Sequence, residues 1–279
     1  IAEQLSTGKR RALKLMRAEL MSDPALVARF EQEAKISARV ASDHVVEIVG
    51  AGIDQELGAP WLAMELLQGQ SLGAALKQRG VLPAAVARTL FAQLGHALGA
   101  AHRAGVVHRD LKPENIFIAE VQQLGVDFKV KVLDFGIAKL FEGAKSANTG
   151  MMALGTPRYM APEQTGGQPI TPATDVWALG LIAFQVLTGR YYWRNAAGGP
   201  DDSMITLMRE VLFEQLVPAS RRAAEFNLAQ LLPAGFDAWF ARCVAREPNE
   251  RYQNAGDALT ALDPILAVAA SHAPQATRL

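Results

Sequence analysis

The stretch Val107-His108-Arg109-Asp110-Leu111-Lys112-Pro113-Glu114-Asn115 lies between a helix-like segment and a strand-like one, and its reading decides the fold. An aspartate and an asparagine five residues apart suit one proton acceptor and one metal ligand. Nineteen residues after Asn115 comes Asp134-Phe135-Gly136, preceded by Val130-Lys131-Val132-Leu133. A second carboxylate therefore ends a strand, and a glycine supplies the turn. Singly these features are ordinary, since a loop aspartate is most often a turn or cap residue. Their order and spacing, taken together, carry the information.

Outward from this centre the chain changes character. Upstream, residues 11–17, 44–52 and 59–66 read as strands, and 23–40 as a helix capped by Asp23 and Pro24, with Val27, Phe30, Ala34 and Ser37 at helical spacing. From Ser71 onward helices dominate. Residues 82–104 place Phe91, Leu94, Leu98 and Ala101 on one face, and Gly105 stops the helix. Short strands are expected at 115–121 and 129–133, then a long polar loop over 143–155. Further helices are expected over 171–188, 202–213, 236–245 and 254–268, followed by a loose tail. Strands first and helices afterwards predict an α+β fold: a small β-rich lobe with one long helix, and a larger helical lobe. A change of lobe near 68–71 predicts a ligand cleft between them.

Composition narrows the class. With 28 basic and 28 acidic residues among 279, nothing demands a nucleic-acid or anionic-membrane partner. The single cysteine, Cys243, excludes an internal disulfide framework and reads as a buried thiol in a reducing, cytoplasmic setting. The longest apolar stretch, 176–187, is shorter than the roughly 20 residues a bilayer span needs. No membrane contact is expected within this chain, and any anchor of a full-length protein would lie outside it. His96 and His102 are six residues apart on different faces of a helix, which makes a zinc site improbable. Tyr191-Tyr192-Trp193 reads either as a docking patch or, with more weight, as local core.

The two central motifs together resemble the catalytic loop and metal-binding motif of protein kinases. The resemblance covers nearly the whole chain. Ala12-Leu13-Lys14 is similar to the family's strand lysine site, with Glu33 at its helical partner position. Gly155-Thr156-Pro157-Arg158-Tyr159-Met160-Ala161-Pro162-Glu163 resembles the end of an activation segment, Asp175-Val176-Trp177 the central helix after it, and Arg251 the arginine that pairs with Glu163. The wording Lys112-Pro113-Glu114 looks like serine/threonine kinases, and Tyr159 to Gln164 looks bacterial. The chain is thus identified as a member of the eukaryotic-like, Hanks-type bacterial serine/threonine kinases.

That resemblance implies a division of labour using ATP and Mg2+ or Mn2+. Asp110 would accept the substrate hydroxyl's proton, Lys112 would steady the phosphoryl group, and Lys14 would hold the α- and β-phosphates in an ion pair with Glu33. Asn115 and Asp134 would bind the metal. Adenine would lie between Ala12 and Phe117, with Met64 behind it and the backbone of Glu65 and Leu67 bonding its edge. Arg109 would clamp a phosphorylated activation-loop residue, Thr149 or Ser146, while Thr156 contacts Asp110. The partners implied are a protein substrate bearing Ser or Thr, in bacterial signal transduction, and a second copy during autophosphorylation.

The match has one gap. The family's glycine-rich phosphate loop should precede Lys14, yet residues 1–8 offer only Gly8, which reads as a hairpin turn. The expected organisation is one kinase domain over 1–279: a small lobe 1–67 lacking that loop, a hinge 68–70, a large lobe 71–269 and a tail or linker 270–279. The chain opens at Ile1 without methionine and reads as a fragment: either a missing N-terminal piece carries the loop, which is the favoured reading, or the natural protein lacks it. Two rivals remain at this point: an ATP-binding pseudokinase scaffold and, further off, a small-molecule phosphotransferase. The latter class lacks a segment like 155–163.

Overall fold

The computed structural model describes residues 1–15, 30, 40–54, 56–121, 127–135, 157–166, 168–196 and 203–271. Strands β1 (Ala2–Gln4), β2 (Lys9–Leu15), β3 (Ile48–Asp54) and β4 (Ala59–Glu65) form an antiparallel sheet in the order β1-β2-β4-β3. Gly8, at φ 65°, turns β1 into β2, the left-handed conformation that glycine adopts without penalty. The first expected strand, 11–17, accordingly begins two residues earlier, because the hairpin pairs Lys9 with Gln4. Gly52 is required for a different reason: a Cβ there would sit 2.9 Å from the Trp61 ring on the neighbouring strand.

A short connector, 66–68, leads into β5 (Gly69–Ser71), which pairs with β6 (Ile116–Ala119) and β7 (Lys129–Val132) in a second sheet. The crossing between sheets thus lies two residues ahead of the expected 68–70, since Gly69 already pairs with Ala119. Of the helix expected over 23–40, Phe30 is helical and fully buried and Val40 lies past its end. The rest of that helix, and the loop expected over 143–155, lie outside the described residues.

Helices build the remainder: α1 (Leu72–Arg79), α2 (Ala84–Arg103), α3 (Pro172–Thr188), α4 (Met204–Leu212), α5 (Ala219–Ala224), α6 (Phe236–Cys243) and α7 (Ala255–Ser271). Ser71 starts α1 by accepting a hydrogen bond from the Ala74 amide at 3.1 Å. In α2 the predicted face of Phe91, Leu94, Leu98 and Ala101 is buried, and Gly105 ends it at φ 76°. α3 is buried on every side, which explains why its sequence is apolar all round rather than amphipathic. Its Gly180 lets α6 approach, because a Cβ would lie 2.8 Å from the Cβ of Cys243. Cys243 is buried, as expected, and Tyr192 and Trp193 belong to the core rather than to a docking patch. Among the described residues no helix is long and apolar enough to cross a membrane.

Around α3 sits one fully buried ion pair. Arg251 donates from Nη1 to Glu163 Oε1 at 2.7 Å and from Nη2 to Oε2 at 2.8 Å. Its remaining hydrogens go to the carbonyls of Ala173, Ala245 and Arg246, and its guanidinium lies 5.0 Å from the Trp177 ring centre. Burial pushes the Glu163 carboxyl up, but the bonds and charge of Arg251 outweigh it and hold the group below the ordinary glutamate range. Every polar atom of the fork is matched, so the pair is tolerated, and removing one partner strands the other. Arg251→Leu is expected to lower unfolding free energy by roughly 3–5 kcal/mol in denaturant titration. A loss no larger than that of an exposed arginine would show that the pair is not holding the fold.

Candidate active site

The site forms where the two sheets face each other. Directly opposed residues on antiparallel strands share a face, and β2 and β4 oppose Lys14 to Leu62 and Ala12 to Met64. Lys14, Ala12 and Met64 therefore look the same way. From the second sheet, Phe117 lies on β6 opposite Lys131, and Asp134 follows β7. Lys14 Nζ meets Asp134 Oδ2 at 2.8 Å, so a side chain of the first sheet closes on one that follows the last strand of the second. Ala12, Met64, Leu67 and Phe117 are all partly exposed, as the walls of an open cleft would be.

The loop carrying Asp110 is held by hydrogen bonds from several directions. Lys112 Nζ lies 2.7 Å from Asp110 Oδ2. Asn115 donates from Nδ2 to Asp110 O at 2.8 Å and to Asp110 Oδ2 at 3.1 Å. Its amide nitrogen is thereby committed, which leaves its oxygen as the atom able to serve a cation. Asn115 O in turn accepts from the Leu133 amide at 2.9 Å, joining the two motifs through the backbone.

His108, expected only as a packing residue, is a second link between them. Its Nε2 lies 2.8 Å from Leu133 O, which can only accept, and its Nδ1 accepts from the Asp110 amide at 3.3 Å. Those partners select the neutral imidazole with the proton on Nε2. The Phe135 ring packs on His108 with centroids 4.9 Å apart and is buried. That contact holds the backbone turn after β7, where Asp134 takes φ 55°.

Arg109 is at φ 65°, and only three non-glycine residues among those described have positive φ. Two of the three, Arg109 and Asp134, are in this site, where strain can persist because neighbours over-determine it. Asp175 supplies much of that constraint from the first turn of α3. Its Oδ2 accepts from the His108 amide at 2.8 Å and from His102 Nε2 at 2.8 Å, and its Oδ1 from the Arg109 amide at 2.9 Å. Gln164 adds a hydrogen bond from Nε2 to Arg109 O at 2.6 Å. Burial would raise the Asp175 carboxyl, but the His102 bond and the other donors outweigh it and hold it below the ordinary aspartate range.

Of the residues picked from sequence, Lys14, Asp110, Lys112, Asn115 and Asp134 converge at the cleft, with Ala12, Met64, Glu65, Leu67 and Phe117 along it. Glu163, Asp175 and Arg251 lie behind it as supports. Glu33, Ser146, Thr149 and Thr156 lie outside the described residues, and Lys14 is paired with Asp134. Sequence reading missed His102 and Gln164. A histidine six residues before His108 and a glutamine just after Glu163 carry no local signal of their long-range bonds.

Among the described residues no cluster of three or more His, Cys, Asp or Glu side chains could hold a metal. The hard oxygens of Asp134 and Asn115 do fit a magnesium-type ion that takes one or two protein ligands and the rest from phosphate and water.

A family description, protein kinase domain, matches residues 2–260. The chain belongs to the protein kinase family. It is 35% identical over 267 residues to the serine/threonine-protein kinase Pkn1 of Myxococcus xanthus, covering 96% of this chain and 36% of that protein. It is 36% identical over 232 residues to the serine/threonine-protein kinase PknA of Mycobacterium tuberculosis, covering 80% of this chain and 51% of that one. The chain thus spans between about a third and a half of these relatives, and it is a kinase domain of their bacterial, Hanks-type serine/threonine class. The crystal structure of the Mycobacterium tuberculosis PknI kinase domain superposes with a TM-score of 0.65 at 24% identity, covering 91% of this chain and 85% of that one. At that identity the likeness carries the two-lobed α+β fold.

The depressed Asp175 carboxyl gives a pH signature. Its contribution to this kinase domain's stability is complete above the ordinary aspartate value and is lost as pH falls through the lower folded-state value. The gap in thermal midpoint between wild type and Asp175→Asn should stay constant from neutral pH down to the ordinary aspartate range, then narrow beneath it. Taking the difference cancels groups common to both proteins, such as His44, whose burial lowers its pKa. A gap that narrows already near neutrality would refute the assignment.

Proposed function

We propose that this domain transfers the γ-phosphoryl group of ATP to serine and threonine hydroxyls of protein substrates, with Mg2+ or Mn2+ bound, in bacterial signalling. The observation that carries the reading is the convergence on one cleft of Asp110, Lys112 and Asn115 from the large lobe with the Lys14 to Asp134 contact between sheets. Phosphoryl transfer needs positioned phosphates, compensated charge and an in-line hydroxyl more than covalent help from the protein.

In this reading Asp110 accepts the hydroxyl proton as the substrate oxygen bonds to the γ-phosphorus and the bond to the bridging oxygen breaks, releasing ADP. Lys112 steadies the transferred group. Lys14 leaves Asp134 to hold the α- and β-phosphates, while Asn115 and Asp134 hold the ion, which when bound offsets phosphate charge. Ala12 and Phe117 flank the adenine, Met64 lies behind it, and the backbone of Glu65 and Leu67 meets its edge. The presence of all five polar residues weighs against a scaffold without chemistry.

Incubation with magnesium and radiolabelled ATP tests this directly. Asp110→Asn and Lys14→Met are each expected to cut label incorporated into the protein itself and into a generic basic protein by at least about a hundredfold. Binding of ATP with no label in wild type would favour the pseudokinase scaffold instead.

Activation follows the same chemistry. We infer autophosphorylation at Thr149, with Ser146 second, and capture of the phosphate by Arg109 through charge-assisted bidentate bonds. Peptide mass spectrometry after incubation with ATP should find phosphate on Thr149; phosphate on neither residue would sink the idea.

A further inference from the structure

Behind the cleft the two sheets are joined a second time. Residues 44–47 run beside β7: the Val46 amide donates to Val132 O at 3.0 Å, and the Val132 amide to His44 O at 2.8 Å. β3 starts at Ile48, so this segment pins the first sheet to the strand that leads into Asp134. The connector 66–68 is the other crossing. Between the two crossings lies a side-chain tie. Lys131, on β7, places Nζ 2.6 Å from Glu65 Oε1 and 3.3 Å from Val45 O. The same Glu65 oxygen accepts from the Glu47 amide at 2.9 Å, and the Glu65 amide donates to Glu47 O at 3.0 Å.

The tie therefore binds three segments at one point: the end of β4, the segment 44–47 that leads into β3, and the strand three residues before Asp134. It is well shielded, with the two side chains 12% and 23% exposed, so the charges act in a medium less screening than water. Lys131 also stands directly opposite Phe117, the residue read above as one wall of the adenine site. Any rocking of the first sheet on the second must move β4's end against β7 and stretch a short charge-assisted bond.

The geometry points to Lys131 and Glu65 as a strap that sets how readily the two lobes open, making Lys131 a positioning residue for nucleotide retention. It acts through the angle between the sheets, and its ammonium is engaged by Glu65 and Val45. This rests on the kinase reading above. In the strapped arrangement Lys14 and Asp134 face each other within contact, and a bound nucleotide exchanges that contact for its own phosphates and ion. Without the strap the closed arrangement loses one of its ties, and nucleotide leaves sooner.

The test uses the whole chain with magnesium and a fluorescent N-methylanthraniloyl ADP, following dissociation by stopped flow, alongside ATP KM and kcat. Lys131→Met is expected to raise the ADP off-rate and the ATP KM together, on the order of fivefold each. Lys131→Arg, which keeps a cation for Glu65, should stay near wild type. Glu65→Gln should match Lys131→Met, and the double variant should be no worse than either, because each cut severs the same bond. Additive effects, or an unchanged off-rate in both single variants while wild type binds and transfers normally, would overturn the strap alone. A wild type that binds no nucleotide would overturn the kinase reading and the strap with it. A fall in thermal midpoint with no change in off-rate would reduce Lys131 to a structural residue.

Discussion

A single buried carboxylate organises the centre of this domain. Asp175 is withdrawn from water, where an unmatched charge would cost several kcal/mol. It is matched by the His108 and Arg109 amides and by His102 Nε2. Its place in the first turn of α3 adds the favourable end of a helix dipole. The two amides it captures are consecutive, so both must point inward at once. That requirement, together with Gln164 on the Arg109 carbonyl, maintains the left-handed backbone at Arg109. The turn is what swings Asp110 out of the loop toward the cleft.

The remaining site geometry follows from that anchor by short steps. With His108 fixed, its Nε2 holds Leu133 O, and Asn115 O holds the Leu133 amide from the other side. Both polar groups of Leu133 are thereby set, the residue immediately before Asp134. Phe135 packs on the His108 ring, so the chain leaves β7 in one direction only. Asp134 is left facing the first sheet, where β2 presents Lys14. The Glu163 to Arg251 pair fixes the far side of α3 in the same manner, joining the segment at 157–166 to the turn ahead of α7.

Much of this was readable in sequence, and the residues explain which part. Lys14, Asp110, Asn115 and Asp134 are chemically distinctive, and their order and spacing resemble the motifs of one family. The face of α2 and the burial of α3 follow from periodicity, a local property. His102, Gln164, Lys131 and Glu65 were not readable as supports, because each is an ordinary residue in its own neighbourhood. Their meaning arises from partners 73, 55 and 66 positions away, in the pairs His102 with Asp175, Gln164 with Arg109 and Lys131 with Glu65. His108 was half-read: its motif named it, but its role as hydrogen-bonding link required the position of Leu133. The lobe crossing shifted for a similar reason, since Gly69 belongs to the second sheet only through its pairing with Ala119.

The buried ion pair behind the cleft and the two pairs in it differ in exposure, and the difference bears on what each can do. Glu163 and Arg251 are 0% exposed on both side chains, with every fork hydrogen placed on an acceptor. Exchanging either partner would require dehydrated charge to separate, so the pair acts as a fixed pin. Lys14 and Asp134 are 37% and 26% exposed, and Lys112 and Asp110 are 25% and 27% exposed. Water screens such contacts, and exposed pairs contribute only about 0–1 kcal/mol. A weak pair is what a reacting cleft requires. In the function proposed above, each lysine would exchange its carboxylate for a phosphate without a large penalty, and the carboxylates would turn to a cation and a hydroxyl proton. On that reading the dehydrated pair serves the fold and the half-exposed pairs serve the proposed chemistry.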